Sequence, residues 1–281
     1  MLSSIVDDVV DQSEVLMGLP AVFVGHGSPM NALEQNRFTR GWSRFAESFE
    51  RPRAILAVSA HWYVNTSAVT SMARPRVIHD FYGFPQELNN VDYPVVGSPD
   101  LARQVAQIAH PTLLSLDDET WGIDHGTWSV LVHMYPDADV PVVQLSLDAS
   151  QPLAHHFDLG SRLAPLLDDG VLIVASGNVV HNLRLIAWDA VDQGYDWAQR
   201  FDADAREVLV RHPEAVGDLV GHDDYRRAAP TPDHFLPLVY LAGLAAARGA
   251  TVSTFNEGCT MGSLSMTAYR IEQSTDSTAV R

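Results

Sequence analysis

Four short apolar runs set the frame of the chain: Ala21–Val24, Ala54–Ser59, Val140–Leu147 and Val171–Ala175. Each is rich in Val, Ile, Leu or Ala and lacks strict apolar–polar alternation, which predicts strands covered on both faces, as in a parallel sheet. Between them lie stretches with helical signals. Ser98-Pro99-Asp100 opens a helix that runs to about Ala109, with Pro in the first turn. Gln151–Leu167, Asp196–Arg211 and Asp233–Arg248 are predicted as further helices, the last stopped by Gly249. Ser67–Met72 and Thr251–Phe255 read as additional strands that can pair antiparallel. Strands alternating with helices predict an α/β fold: a single domain with a central, mostly parallel or mixed sheet flanked by helices. The folded domain is expected over residues 20–272, between an N-terminal extension, 1–19, and a polar tail, 273–281.

Composition narrows this picture. The 281 residues are 46% hydrophobic and 19% charged, enough apolar material for a buried core. All 18 basic residues are Arg, against 35 acids, giving a formal net charge of -17. Such a surface repels phosphate backbones and anionic membranes, so neither nucleic acid nor membrane is an expected partner. The longest apolar stretch, Leu236–Ala247, is about a dozen residues, well short of the ~20 of a membrane span. The first twenty residues carry acids and no cation, unlike a secretory signal. With a single Cys, Cys259, no intrachain disulfide forms and thiolate metal sites are excluded. A cytoplasmic enzyme or binding protein is the expectation. The acidity fits a salty interior, a genome bias or simple solubilisation, and it does not identify function.

The chemistry follows the strands. Gly25-His26-Gly27-Ser28-Pro29 follows the first run, Ser59-Ala60-His61-Trp62 the second, and Ser176-Gly177-Asn178-Val179-Val180-His181-Asn182 the fourth. Sites in open α/β sheets lie beyond the carboxyl ends of strands, so these three histidines can converge. Asp124-His125-Gly126-Thr127-Trp128 precedes a helix, and Asp233-His234-Phe235 follows a Pro-rich loop. Imidazole is the ligand type left for a transition metal. One loop histidine is more often a hydrogen-bonded structural residue than a ligand, and this set lacks the tight spacing of an HExxH helix. Of the others, His79 belongs to an aromatic packing loop and His133 to an apolar stretch. His110, His155, His156, His212 and His222 read as surface positions, and Cys259 as a small buried hydrophobe. There is no GxSxG nucleophile elbow, GxGxxG or P-loop.

These segments, in this order and together with His79-Asp80-Phe81-Tyr82-Gly83-Phe84-Pro85, Pro232-Asp233-His234-Phe235-Leu236-Pro237 and Gly262-Ser263-Leu264-Ser265-Met266, resemble the DOPA-dioxygenase-type extradiol ring-cleavage family. That family is related to the class III, LigB-like catechol dioxygenases, and the resemblance spans roughly residues 20–271. It implies a single-domain enzyme with one divalent metal per chain, ligated by His26, His61 and His234. It places His181 at or beside the metal, as a fourth ligand or an acid–base group, and His125 over the substrate as a second catalytic histidine. Classical extradiol enzymes use two His and a carboxylate on Fe(II); here His234 stands in the carboxylate's place, with Asp233 adjacent. An all-His set also suits Zn(II), so Zn(II) is expected on isolation and Fe(II) for dioxygen chemistry. A small catechol and O2 are the implied partners, with Trp62, Phe81, Tyr82 and Trp128 as candidate walls for the ring. A zinc-dependent hydrolase and a non-catalytic metal-binding protein of the same fold stay open as alternatives. DOPA-like, caffeate-like and simpler catechols are equally compatible with the motifs.

Overall fold

Val22 and Val24 face one side of the central sheet and Phe23 the other, and all three are fully buried. This is why the apolar runs are continuous. In the strand over Ala54–Val64, Leu56 and Val58 pack into one core while Ile55 and Ala57 pack into the other. The strand over Val171–Gly177 divides in the same way, with Ile173 and Ala175 opposite Leu172 and Val174. The computed structural model describes residues 18–272. Residues 1–17 and 273–281, and with them nearly all of the expected extension and the whole tail, lie outside the described residues. Leu19, at the border of the expected extension, is tied down by its amide, which donates to Leu167 O at 2.8 Å.

Ten strands are present among the described residues: β1 (Ala21–Gly25), β2 (Ala54–Val64), β3 (Ala68–Thr70), β4 (Ser115–Asp117) and β5 (Val142–Asp148) come first. β6 (Val171–Gly177), β7 (Thr251–Asn256), β8 (Cys259–Thr260), β9 (Leu264–Ser265) and β10 (Ala268–Glu272) follow. The main sheet has the order β4-β3-β5-β2-β6-β1-β10-β7, and β8 and β9 form a small hairpin. The central four, β5-β2-β6-β1, are parallel. β3 pairs antiparallel with β5, and β10 pairs antiparallel with both β1 and β7, so the sheet is mixed at its flanks. This is the single-domain α/β architecture expected from the pattern.

Helices cover both faces. Leu153–Leu163, Asp196–Arg211 and Leu236–Arg248 contribute to the core that contains Phe23 and Leu56. Arg37–Ala46 and His125–Met134 contribute to the other. Pro99–Ile108 is capped by Ser98, whose Oγ accepts from Leu101 N at 3.2 Å. The expected helix Gln151–Leu167 is divided into Leu153–Leu163 and Pro165–Asp168, because Pro165 carries no amide hydrogen to continue the ladder. The last helix starts at Leu236 rather than Asp233, with Pro237 in its first turn. Asp233 and His234 are thereby left in a turn rather than wound into the helix.

One expected surface residue is not on the surface. His156 is fully buried, on the side of Leu153–Leu163 that meets Tyr240, whose hydroxyl lies 3.3 Å from its Nδ1. His110 and His212 are exposed, and His155 and His222 half-buried. His133 is half-buried and bonded to Asn31 O at 2.7 Å, and Cys259 is buried.

Candidate metal centre and active site

All five candidate histidines meet at the carboxyl end of the parallel strands. His26 directly follows β1, and its amide extends the sheet by donating to Gly177 O at 3.0 Å. His61 lies in the irregular part of β2, where the register with β5 shifts between Val58 and Tyr63 and pairing with β6 has already ended at Ser59. Such a bulge frees a side chain from the alternation of the sheet and aims it elsewhere. His125 opens the helix His125–Met134, capped by Asp124. Asp124 is fully buried and also accepts from Ser59 Oγ at 2.7 Å and from Gln144, tying β2 and β5 to the base of that helix. Gly126 is needed here: a Cβ on it would stand 2.7 Å from both His61 Cδ2 and Ser59 Oγ. His181 follows β6, and its backbone bridges to Leu264 of the C-terminal hairpin.

The outward nitrogens of four of these rings are all engaged. His61 Nδ1 and His125 Nδ1 donate to the two oxygens of Asp80, at 2.9 and 2.8 Å. His234 Nδ1 is held by Asp233. Ser176 Oγ donates its only proton to Gly126 O, so His26 Nδ1, 2.9 Å away, must be the donor to that oxygen. Each Nδ1 therefore carries the proton, and each Nε2 presents a lone pair. Carboxylate and hydroxyl partners of this kind fix the orientation of the rings, as hydrogen-bond acceptors behind metal-ligating histidines do.

Two of those lone pairs face each other: His26 Nε2 and His61 Nε2 are 3.3 Å apart. Two acceptors at that distance repel unless a cation lies between them. His234 Nε2 is buried with no hydrogen-bond partner, a state a polar atom rarely tolerates. The ring centres of His26, His61 and His234 form a nearly equilateral triangle with edges of 5.1, 5.1 and 5.3 Å. Three imidazoles on one ion with nitrogens at about 2.1 Å and tetrahedral angles would place their ring centres about 5.2 Å apart. These three residues fit a divalent metal. The histidines whose donor atoms all fall within 4.8 Å of one another are His26, His61 and His125, so by donor-atom distance His125 stands closer than His234 to this centre. Its ring centre, however, is only 3.9 Å from that of His61 and 6.0 Å from that of His26, away from the symmetry of the triangle. His181 stacks on His234 with ring centres 3.4 Å apart and planes within 4°.

The electrostatics favour the neutral imidazole at four of the five histidines, with His61 the exception. Burial, then the charges of neighbouring histidines, holds His26 and His234 well below the usual imidazole range. Burial takes His181 down to about 4. Burial and then His61 also lower His125. Burial pulls His61 down as well, but the hydrogen bond to Asp80 and the charges of Asp124 and Asp80 outweigh it and raise its pKa. Asp80 would be raised by burial, yet the bonds from His125 and His61 hold it well below the usual carboxylate range.

The histidines form the floor of a cavity of about 750 Å³. Phe81 and Tyr82 line it, as expected from the sequence. Trp62 and Trp128 do not: Trp62 stacks on Trp121 at 5.6 Å, and Trp128 is fully buried, with Nε1 donating to Ile78 O at 2.8 Å. His79 packs against Trp128 and bonds Val91 O. Sequence reasoning missed Asp80 as the shared acceptor and Met30, Leu183, Ile186 and Trp188 as wall residues. The adjacency His79-Asp80 was the available signal for the acceptor, whereas the wall residues come from two short segments far apart in sequence, the turn Pro29–Ala32 and the stretch that begins at Leu183, neither long enough to show a periodicity.

Comparison with known proteins agrees with this geometry. Residues 20–266 match the family described as the catalytic LigB subunit of aromatic ring-opening dioxygenase. The chain is 45% identical, over 96% of its length and 100% of the relative's, to a protein of Escherichia coli K12 named 4,5-DOPA dioxygenase extradiol. A protein of the same name from Beta vulgaris is 36% identical over 79% of this chain and 85% of its own. The crystal structure of an uncharacterized protein from Escherichia coli K12 superposes with a TM-score of 0.78 at 42% identity, covering 90% of this chain and all of that one. No helix among the described residues is long and apolar enough to cross a membrane. The chain therefore belongs to the LigB family, as an extradiol-type ring-cleaving dioxygenase.

Proposed function

We propose that the protein is a metal-dependent extradiol dioxygenase that opens a catechol beside its diol with O2, using His26, His61 and His234 to hold the metal and His125 and His181 as acid–base groups. The observation that carries this reading is the 5.1–5.3 Å triangle of three histidines whose Nε2 atoms lack protons and whose Nδ1 atoms are held from behind. When bound, a redox-active divalent metal supplies Lewis acidity to the diol and an electron path between ring and dioxygen.

The protein's own residues prepare the diol. His125 is held neutral by burial, and its Nε2 lone pair is free to accept a phenolic proton. Asp80, anionic and bonded to His125 Nδ1 at 2.8 Å, stabilises the imidazolium this produces and fixes its tautomer. The same proton can then be returned to an oxygen of the product as the ring opens. His181, neutral to about pH 4 and stacked on His234, is a second proton acceptor at the cavity floor. Phe81, edge-on to His125 with centres 5.4 Å apart, supplies an apolar surface beside the reacting groups.

An all-imidazole set binds Zn(II) tightly, whereas dioxygen chemistry needs a metal with accessible redox states. We therefore assign Zn(II) as the ion carried through isolation and Fe(II) as the catalytic one. A cytoplasmic location fits a chain with one buried cysteine. The test is anaerobic reconstitution with Fe(II) or Zn(II), followed by a catechol panel scored for ring-opened product in air. Cleavage by the Fe(II) form alone supports the assignment; an inert Fe(II) form on every catechol refutes it.

A further inference from the structure

The cavity is much larger than a catechol ring, and its two ends differ in chemistry. The floor holds the five histidines and Asp80, while the outer wall is built from Met30, Phe81, Phe84, Leu183, Ile186 and Trp188. Among the described residues no Arg lines it, and the chain contains no Lys. The one charged group that does, Asp80, is an anion already bonded to His61 and His125. Outside the floor, the polar side-chain groups that remain are the hydroxyls of Ser28 and Tyr82 and the indole N–H of Trp188, neutral groups that do not neutralise an anion. Arg184 adjoins Leu183 in sequence but is exposed and not part of the wall.

A catechol whose diol sits on the histidine floor must direct its ring substituent toward this apolar wall. A carboxylate placed there would lose water without gaining a cation, which is costly. Sites built for carboxylates supply a guanidinium fork or an ammonium. The net charge of -17 adds a further penalty to drawing in an anion. At the mouth, Leu183 is 58% exposed and Trp188 63% exposed. Large apolar side chains left open around a cavity mark a surface that gains free energy when an apolar group covers it.

We infer that the substrate is a catechol carrying an uncharged, apolar ring substituent, rather than one carrying a carboxylate. This inference rests on the ring-cleavage reading above and narrows its substrate class.

The test compares 4-propylcatechol with 3-(3,4-dihydroxyphenyl)propionate, which extend equally far from the ring and differ in charge. Dissociation constants come from calorimetry on the Zn(II)-loaded protein, and kcat/KM from the Fe(II)-loaded protein. The expected result is binding of the propyl compound tighter by about tenfold or more, with kcat/KM in the same order. Leu183→Arg, at an exposed wall position that tolerates a long side chain, is expected to shift the preference toward the propionate. Equal or tighter binding of the propionate overturns the inference while leaving ring cleavage intact, most directly if Arg184→Gln then removes that affinity. If neither compound binds or is cleaved, the ring-cleavage reading fails and the inference with it.

Discussion

Asp80 accepts the Nδ1 proton of His125 at 2.8 Å through one carboxylate oxygen and holds His61 with the other. One side chain thus orients two of the clustered histidines together, His61, proposed as a metal ligand, and His125, proposed as an acid–base group. It does so from the segment that also supplies Phe81, Tyr82 and Phe84 to the substrate cavity. Asp80→Asn removes the charge and, in either amide orientation, turns its NH2 donor toward the N–H of one of the two rings. The expected loss is about 10–100-fold in metal affinity, activity or both. Metal titration of the apoprotein and steady-state kinetics on the reconstituted variant check it.

Substituting the histidines separates holding a metal from moving a proton. His234→Ala removes one corner of the triangle and should leave protein that does not retain stoichiometric metal after dialysis. His125→Ala should retain metal while turnover falls about 10²–10⁴-fold, the range for a lost general acid–base group. Elemental analysis beside kinetics distinguishes the two. Equal metal loss in both variants would move His125 into the ligand set, where its donor atom's closeness to those of His26 and His61 makes it the next candidate.

Gly126 sets how closely the helix His125–Met134 approaches β2. Gly126→Ala would press a methyl against His61 and Ser59, both 2.7 Å from the added carbon. The expected cost is about 1–3 kcal/mol of stability, as for overpacking elsewhere. Metal affinity should weaken as well, because His61 must move to relieve the contact. Urea denaturation of the apoprotein and metal titration measure the two effects separately.

His156 gives a pH dependence remote from the active site. Burial, then His155, lowers its pKa to about 4 from the ordinary 6.5. Between these values the unfolded chain binds the proton and the folded chain resists it. Stability therefore falls as the pH drops through this window and levels off below about pH 4. The contribution of this one group is at most about 3 kcal/mol. Comparing urea midpoints of the wild type and His156→Gln between pH 7 and 4 should show a shallower slope in the variant.

Much of the frame was legible in the residues because both faces of the central strands are buried, which makes the runs at Ala21, Ala54 and Val171 continuously apolar. Sites beyond strand ends then pointed to His26, His61 and His181. His125 and His234 stood out less, since a helix start and a turn carry no comparable rule. β10 was not read, because Tyr269-Arg270-Ile271-Glu272 is an alternating segment near the polar tail and one of its antiparallel partners, β1, is distant in sequence. The misplacement of His156 has the same origin: which side of Leu153–Leu163 is covered depends on Tyr240, more than eighty residues away. Trp62 and Trp128 were expected as cavity walls by residue type alone, while packing against Trp121 and Ile78 takes them elsewhere.

The central claim is that this histidine floor inserts both atoms of dioxygen into a catechol. It is tested most directly by mass spectrometry of the product formed under labelled 18O2 by the Fe(II)-reconstituted protein with 4-propylcatechol and the wider catechol panel. A ring-opened product carrying two labelled oxygens, formed with Fe(II) and absent with Zn(II), is the expected result. A product with no labelled oxygen, or the same product from the Zn(II) form without O2, would contradict it.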